Sequence, residues 1–217
     1  MSRIAILGVG KVGTAIARAA LAGGHEVTLA GSGSPEPVQF IVEVMAPGAH
    51  VDTAANAVAE SDLVILAIPL PKLESLDPVM FEGRIVVDAM NHWEPTDGGL
   101  PEVFGGSSST SAVVAGQLTG ARVVKALNHI GYHEMEADAR LIGAPDRRGL
   151  AAVSDDPAAA EVVADIVTSF GFDVTAASPL ALGVELEPGS EIFGGRFEDA
   201  EIRARIAAAH EDARIAA

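Results

Sequence analysis

Short apolar runs alternate along this chain with segments whose apolar residues recur every three or four positions. The first such unit is an apolar run over residues 3–7, a glycine-rich turn, a helical period over 14–22, and a second run over 25–30. Apolar runs of this length predict strands, and the longer period predicts helices. The pattern therefore predicts a strand–helix–strand unit with parallel strands at the N-terminus.

The same alternation continues to the end of the chain. It predicts further strands near residues 50–51, 62–67, 84–88, 121–126, 150–153 and 172–175, and helices over 38–45, 53–60, 107–118, 157–170 and from Phe197 onward. Residues 62–67 are almost wholly apolar, which is typical of a parallel strand covered on both faces. The chain is thus predicted to form an α/β fold with a doubly wound, mostly parallel sheet and a small C-terminal α/β elaboration.

The turn after the first strand has the pattern Gly8-x-Gly10-x-x-Gly13. Gly8 permits a tight turn, Gly10 leaves room for a pyrophosphate, and Gly13 lets the following helix pack close to the sheet. The N-terminus of that helix offers free N–H groups and a partial positive charge to phosphates. Because a strand precedes the motif and a helix and a strand follow it, we predict a Rossmann-type dinucleotide-binding domain over 1–145. Residues 146–217 would pack on the same sheet and contribute to a substrate pocket or a dimer interface.

The residues after the second strand bear on the choice between NAD and NADP. An NAD site usually has a carboxylate there for the ribose, whereas this chain has Ala-Gly-Ser-Gly-Ser over 30–34. Ser32 and Ser34 are candidates to bond a 2′-phosphate, which favours NADP, but no Arg or Lys is near to add a charge-assisted contact. We interpret Glu36 as a solvated loop residue, although its carboxylate is within reach of a ribose.

Ligands in open α/β sheets lie beyond the carboxyl ends of the strands. Three segments of this chain should lie there, and their candidate residues are Ile68, Pro69 and Leu70 as an apolar wall, Asn91 and Trp93 as ribose or ring contacts, and Asn128 and His129 beside the reacting ring. His129 is the best candidate for a proton donor. Each of the three segments also has a purely structural interpretation. The first could simply end a strand, the second could pack within a loop, and the third could hold a buried histidine whose hydrogen bonds are all made within the protein.

Composition excludes several classes of protein. The formal net charge of −16 over 217 residues opposes binding to nucleic acids and to anionic membranes. No cysteine is present, so disulfides and cysteine chemistry are excluded. No apolar run approaches the roughly 20 residues of a membrane span, and no secretory signal is evident, so we expect a cytoplasmic protein. His129 and His133 with Glu134 lack the order of a zinc motif, and no metal is expected.

Five motifs occur in a characteristic order and spacing: Ile-Leu-Gly-Val-Gly-Lys-Val-Gly at 6–13, Ile-Pro at 68–69, Val-Val-Asp-Ala-Met-Asn at 86–91 with Trp93, Val-Lys-Ala-Leu-Asn at 124–128 and Phe-Gly-Phe-Asp-Val at 170–174. Together they resemble one known family, the F420-dependent NADP reductases, over residues 3 to about 188. The resemblance implies reversible hydride transfer between C4 of the nicotinamide of NADP(H) and C5 of the deazaflavin coenzyme F420, in a protein that is a homodimer.

The resemblance also implies roles for individual residues. The pyrophosphate would lie on Gly8, Val9, Gly10, Lys11, Val12 and Gly13, the adenosine phosphate near Gly31 and Ser32, the nicotinamide near Ile68, Pro69, Leu70 and Trp93, and the deazaflavin beside Asn128, His129 and Tyr132. This chain departs from the family in two places: Ser32-Gly33 stands where members often have Ser-Arg, and the tail from Glu187 does not match the archaeal enzymes.

Two other functions remain open at this point. One is an NADP-dependent reductase of a small carbonyl or imine, with His129 or the sole tyrosine, Tyr132, as the acid. Tyr132 lacks the lysine four residues later that usually accompanies a catalytic tyrosine on a helix. The other is a non-enzymatic NADP(H)-binding sensor that reports redox state to a partner protein.

Overall fold

The computed structural model describes residues 1–92, 98–99 and 109–216. Within them one eight-stranded sheet has the strand order β3-β2-β1-β4-β5-β6-β7-β8. The strands are β1 Arg3–Leu7, β2 Glu26–Ala30, β3 His50–Val51, β4 Leu63–Leu66, β5 Ile85–Asp88, β6 Arg122–Lys125, β7 Gly149–Ser154 and β8 Asp173–Ala177. The first six run parallel, whereas β7 is antiparallel to β6 and parallel to β8. The predicted doubly wound, mostly parallel Rossmann-type sheet is confirmed.

Helices cover both faces of this sheet. They are α1 Lys11–Ala22, α2 Glu36–Met45, α3 Ala54–Glu60, α4 Thr110–Gln117, α5 Glu134–Asp138, α6 Pro157–Ser169 and α7 Asp199–Ala216, with short 3-10 segments at Leu70–Ser75, Pro78–Phe81 and Leu180–Leu186. Apolar residues of α1 and α6 pack on one face, and those of α3 and α4 pack on the other. No helix in the described ranges is both long and apolar enough to cross a membrane.

The last third of the chain adds to the same sheet. Helix α6 links β7 to β8, and α7 covers these two strands with Ile202 and Ile206, which are 1% and 5% exposed. These two residues therefore dock on their own sheet and not on a second copy, whereas Ile215 stays 77% exposed. Because β7 runs opposite to β6, residues 126–148 leave and re-enter the sheet at the same edge. That edge also holds the carboxyl ends of the six parallel strands.

Element boundaries differ from the sequence-based expectation by a few residues. Helix α4 begins at Thr110, and Ser109 caps it by accepting a hydrogen bond from the Ser111 N–H at 3.1 Å. Residues 107 and 108, which the pattern also placed in this helix, lie outside the described residues. Helix α2 begins two residues earlier than expected because Pro37 suits the first turn of a helix.

Candidate functional site

The glycine turn between β1 and α1 shows a separate reason for each glycine. A Cβ on Gly8, whose φ is +126°, would lie 2.2 Å from the Ala67 carbonyl oxygen, and one on Gly13 would lie 1.9 Å from the Gly8 carbonyl oxygen. Gly13 therefore permits close packing within the turn itself more than against the sheet. A Cβ on Gly10 would meet nothing within 4 Å. Gly10 begins α1 without a side-chain cap, so its missing side chain leaves open space at the helix N-terminus.

A cavity of about 960 Å³ opens beside this helix end. It collects nine of the predicted site residues: Gly10, Lys11, Val12, Ile68, Pro69, Asn91, Asn128, His129 and Tyr132. Its remaining lining is Ala67, Ala89, Met90, Leu127, Ile130, Gly131, His133, Glu134, Phe193 and Gly194. The cavity thus runs along the carboxyl edge of the sheet from the glycine turn to the C-terminal segment.

The other predicted residues lie outside the cavity lining. The glycine turn contributes Gly8, Val9 and Gly13, which do not line the cavity, and Leu70 is fully buried. Gly31, Ser32 and Ser34 form a loop at the end of β2, in which both serines are exposed. Trp93 lies outside the described residues.

A buried ion pair supports the cavity floor. Asp88 and Lys125 end the neighbouring strands β5 and β6 in register, are wholly buried, and bring Oδ2 and Nζ to 3.2 Å. Lys125 Nζ also donates to the Met90 carbonyl at 2.7 Å, and Asp88 accepts from the Met90 N–H at 3.0 Å and from the Ser111 hydroxyl at 2.6 Å. The pair therefore holds both polar groups of Met90, a residue of the floor.

Two asparagines join the same strand ends one step further on. The Asn91 side-chain amide donates to the Asn128 carbonyl at 2.7 Å, and the Asn128 amide donates to Asn91 Oδ1 at 3.0 Å and to the Leu186 carbonyl at 2.5 Å. Each asparagine follows a charged residue of the ion pair by three positions. The sequence signal for this structural unit is the equal spacing of an asparagine three residues after an acidic and a basic strand end, Asp88 and Lys125.

The backbone is strained next to this asparagine pair. Leu127 has a φ of +63° and is 2% exposed. A non-glycine residue in this left-handed region costs on the order of 1 kcal/mol or more, and such strain persists only where the surrounding structure holds it. The burial of Leu127 and the hydrogen bonds of Asn128 supply that support directly beneath the cavity.

His129 is held on both sides of its ring. Its side chain lies in the core, Nε2 accepts from the Ala151 N–H at 3.2 Å, and Nδ1 is 3.2 Å from Asn128 Oδ1. Because Nε2 accepts, Nδ1 carries the proton and donates it to Asn128. Burial, with smaller contributions from Arg148 and Lys125, lowers the pKa of His129 to about 3. The ring is neutral and has no free donor, which argues against the expected proton-donor role.

The far end of the cavity comes from α5 and the C-terminal segment. The Gly194 N–H donates to the His129 carbonyl at 3.0 Å, which brings Phe193 into the lining. Phe193 was not among the predicted site residues, because it lies beyond Glu187, where the family resemblance ends. Its only signal was its rarity, as one of seven phenylalanines in a chain with 4% aromatic residues.

The charged groups at the cavity already have partners. Lys11 Nζ lies 5.5 Å from the centre of the Tyr132 ring, which is a cation–π contact. Glu134 Oε2 accepts from Arg148 at 3.1 Å and from the Gly131 N–H at 3.0 Å. Across residues 1–92, 98–99 and 109–216, no group of three His, Asp or Glu side chains could hold a metal ion.

Comparison with known families covers the first part of this site. Residues 3–92 match the family described as NADP oxidoreductase, coenzyme F420-dependent. The expected resemblance to the F420-dependent NADP reductases is therefore confirmed. The match spans the glycine turn, strands β1 to β5 and Asn91. No curated protein sequence matches the chain.

Solved structures share the fold over most of the chain. A hypothetical protein from Sinorhizobium meliloti is 23% identical with a TM-score of 0.76, covering 91% of this chain and 96% of its own. A protein from an Arthrobacter species, provisionally named an F420-dependent NADP reductase, is 26% identical with a TM-score of 0.67 over 82% of this chain and 84% of its own. A reductive aminase from Aspergillus terreus with bound NADPH is 18% identical with a TM-score of 0.58, covering 98% of this chain and 63% of its own.

Proposed function

We propose that this protein transfers a hydride between NADP(H) and a flat, conjugated acceptor, either coenzyme F420 or a flavin. The observation that carries the proposal is a continuous cavity of about 960 Å³, which begins at Gly10 on the N-terminus of α1 and ends at Phe193. This volume is near the upper end of small-molecule sites, so the nicotinamide and a second ring have room side by side. The family that matches residues 3–92 supports both the nucleotide and the acceptor.

The residues present fit a dinucleotide. The open space at Gly10 and the uncapped start of α1 suit a pyrophosphate, and Lys11 lies at the same helix end. When bound, NADPH supplies the hydride from C4 of its nicotinamide. Ile68 and Pro69 line the cavity and would exclude water from that ring, and the Asn91–Asn128 pair fixes the floor on which the two rings would be aligned. Alignment and exclusion of water are what hydride transfer requires of the protein.

The hydrogen bonds of His129 favour a ring acceptor over a carbonyl. Reduction of a ketone needs a proton at its oxygen, but both ring nitrogens of His129 are occupied and its pKa is about 3. A deazaflavin or flavin spreads the incoming charge over its ring and exchanges its proton with solvent. The alternative, a reductase of small carbonyls or imines, then depends on Tyr132, a residue of the cavity lining, as the acid.

The test mixes purified protein with NADPH and oxidised F420, FMN or FAD, and follows the loss of visible absorbance. We expect rapid bleaching of one acceptor and no bleaching by the Gly10→Val variant. NADPH binding without bleaching of any of the three would contradict the proposal and favour the sensor function. Turnover of a ketone or imine that falls about 100-fold in Tyr132→Phe would favour the second enzyme instead.

The remaining expectations about partners stand as proposals. A homodimer follows from the family resemblance, and the net charge of −16 supports the absence of a nucleic-acid partner. Light scattering after size-exclusion chromatography tests the first, since a mass of one chain at micromolar concentration would contradict it. The cytoplasmic location rests on the sequence interpretation, and fractionation of the source cells tests it.

A further inference from the structure

The loop that follows β2 is the part of the structure that faces the adenosine ribose. In this fold the ribose lies at the carboxyl end of the second strand, and β2 ends at Ala30. Ser32 and Ser34 are exposed beyond it, and Gly33 has a φ of +114° with open space around it. A 2′-phosphate, the only chemical difference between NADP(H) and NAD(H), would therefore meet this loop.

The sequence on both sides of this loop is without lysine or arginine. None occurs between Arg18 and Lys72, a stretch that contains β2, α2, β3 and α3. Arg18 is bound elsewhere, to Glu136 at 2.6 Å and to the Met45 carbonyl at 2.7 Å. Lys72 follows β4, which is separated from β2 by β1. Lys11 is turned towards Tyr132 in the cavity.

The charged side chain next to this loop is a carboxylate, not the lysine or arginine that would bind a 2′-phosphate. Glu36 is exposed in the first turn of α2, two residues beyond Ser34. Ser34, two residues away, lowers the pKa of the Glu36 carboxyl, so this exposed group is ionised at neutral pH and adds a negative charge beside the loop. The chain also carries a net charge of −16, and NADPH brings about two more negative charges than NADH.

We infer that this site gains almost nothing from the 2′-phosphate, so that NADH binds about as tightly as NADPH, and that Glu36 is the residue that sets this balance. The inference rests on the proposed function, because it refines the nucleotide that the same cavity uses. A charge-assisted phosphate contact typically favours the phosphorylated nucleotide by roughly ten- to a hundredfold. Without such a contact, and with a carboxylate nearby, we expect a preference for NADPH of less than fivefold.

The experiment measures Kd for NADPH and for NADH by calorimetric titration of the full chain at low salt. Glu36→Gln should shift the ratio of the two constants at least threefold in favour of NADPH, because it removes one repelling charge. Glu43→Gln is the matched control: it removes an exposed carboxylate from the same helix, where Glu43 bonds only Gln39 at 2.8 Å among the contacts described. This control should leave the ratio within twofold. The Glu36 effect should shrink in 0.5 M salt, because exposed charges are screened.

Other results would overturn the inference. Wild-type binding of NADPH fivefold or more tightly than NADH would do so, and so would an equal shift of the ratio in Glu36→Gln and Glu43→Gln. Either result leaves the proposed function intact, since both nucleotides still bind. If neither nucleotide binds, the proposed function and this inference fail together.

Discussion

The Asp88–Lys125 ion pair makes a quantitative prediction about stability. Both side chains are wholly buried and their charged atoms lie 3.2 Å apart. Lys125→Met keeps most of the side-chain volume but removes the hydrogen bonds of Nζ to Asp88 and to the Met90 carbonyl. Asp88 then remains a buried anion with two donors, the Met90 N–H and the Ser111 hydroxyl.

The size of the effect follows from the groups that lose their partners. An unpaired buried carbonyl costs about 1 kcal/mol, and a buried carboxylate without its cation costs about 2–3 kcal/mol more. The sum agrees with the roughly 3–5 kcal/mol found when one partner of a buried ion pair is removed. We therefore expect Lys125→Met to lower the free energy of unfolding by about 3–4 kcal/mol. Asp88→Asn should cost a similar amount, because Lys125 then remains as a buried cation.

The assay is urea denaturation of the two single variants and the double variant, with linear extrapolation to water. The double variant should be no less stable than either single variant, because neither charge is left alone, so the coupling energy should be at least about 3 kcal/mol. Arg3→Met is the matched control. Arg3 and Asp62 are also 3.2 Å apart, but their side chains are 58% and 51% exposed. An exposed pair contributes about 0–1 kcal/mol.

Two outcomes would refute this reasoning. One is a loss of less than about 1 kcal/mol in Lys125→Met, similar to that of the exposed control. The other is additivity of the two single variants to within about 0.5 kcal/mol, which would mean that the charges do not interact. The double variant should also have a raised acceptor KM, because it loses both charged groups that hold Met90, and Met90 lines the cavity.

Two further predictions concern the glycine turn and His129. Gly13→Ala should destabilise the fold because its Cβ would lie 1.9 Å from the Gly8 oxygen, whereas Gly10→Val should fold normally and lose NADPH affinity. Thermal unfolding measures the first effect and titration with NADPH measures the second. Unchanged NADPH affinity in a folded Gly10→Val variant would contradict the reasoning. The folded pKa of His129 is about 3 against 6.5 for a free histidine, so its neutral form stabilises the fold above pH 6.5 and this contribution is lost as the pH falls towards 3. The unfolding free energies of wild type and His129→Gln should therefore converge by up to about 1.4 kcal/mol per pH unit in that window, and a constant difference would refute the buried neutral ring.

Most of the fold was predictable because the chain marks it with strong local patterns. The glycine turn defines β1 and α1, and the apolar run of β4 can only be a strand buried on both faces. The reversed direction of β7 was not predictable, since an apolar run has the same pattern in either direction. Between β6 and β7 only the five residues of α5 form an α-helix. The sequence of this connection therefore indicated neither the long helix of a parallel crossover nor the short turn of a hairpin.

The candidate site was predictable in position more than in role. Asn91, Asn128 and His129 follow strands, so their meeting at the cavity was foreseeable. The state of His129 depends on the Ala151 N–H and on Arg148, about twenty residues further along, and no local pattern reveals such partners. The role of Asp88 and Lys125 depended on strand register, which becomes visible only when β5 and β6 are paired.

The hydrogen bond from Gly194 to the His129 carbonyl has an evolutionary consequence. It joins two backbone groups, so it survives any change of the side chain at position 193. The glycine turn lies within the first 92 residues, where the family match lies, and the opposite wall of the cavity comes from a segment beyond that match. Substitution at Phe193 should therefore reshape the wall opposite the glycine turn and leave the turn itself intact, so directed evolution of a new acceptor should begin at that position.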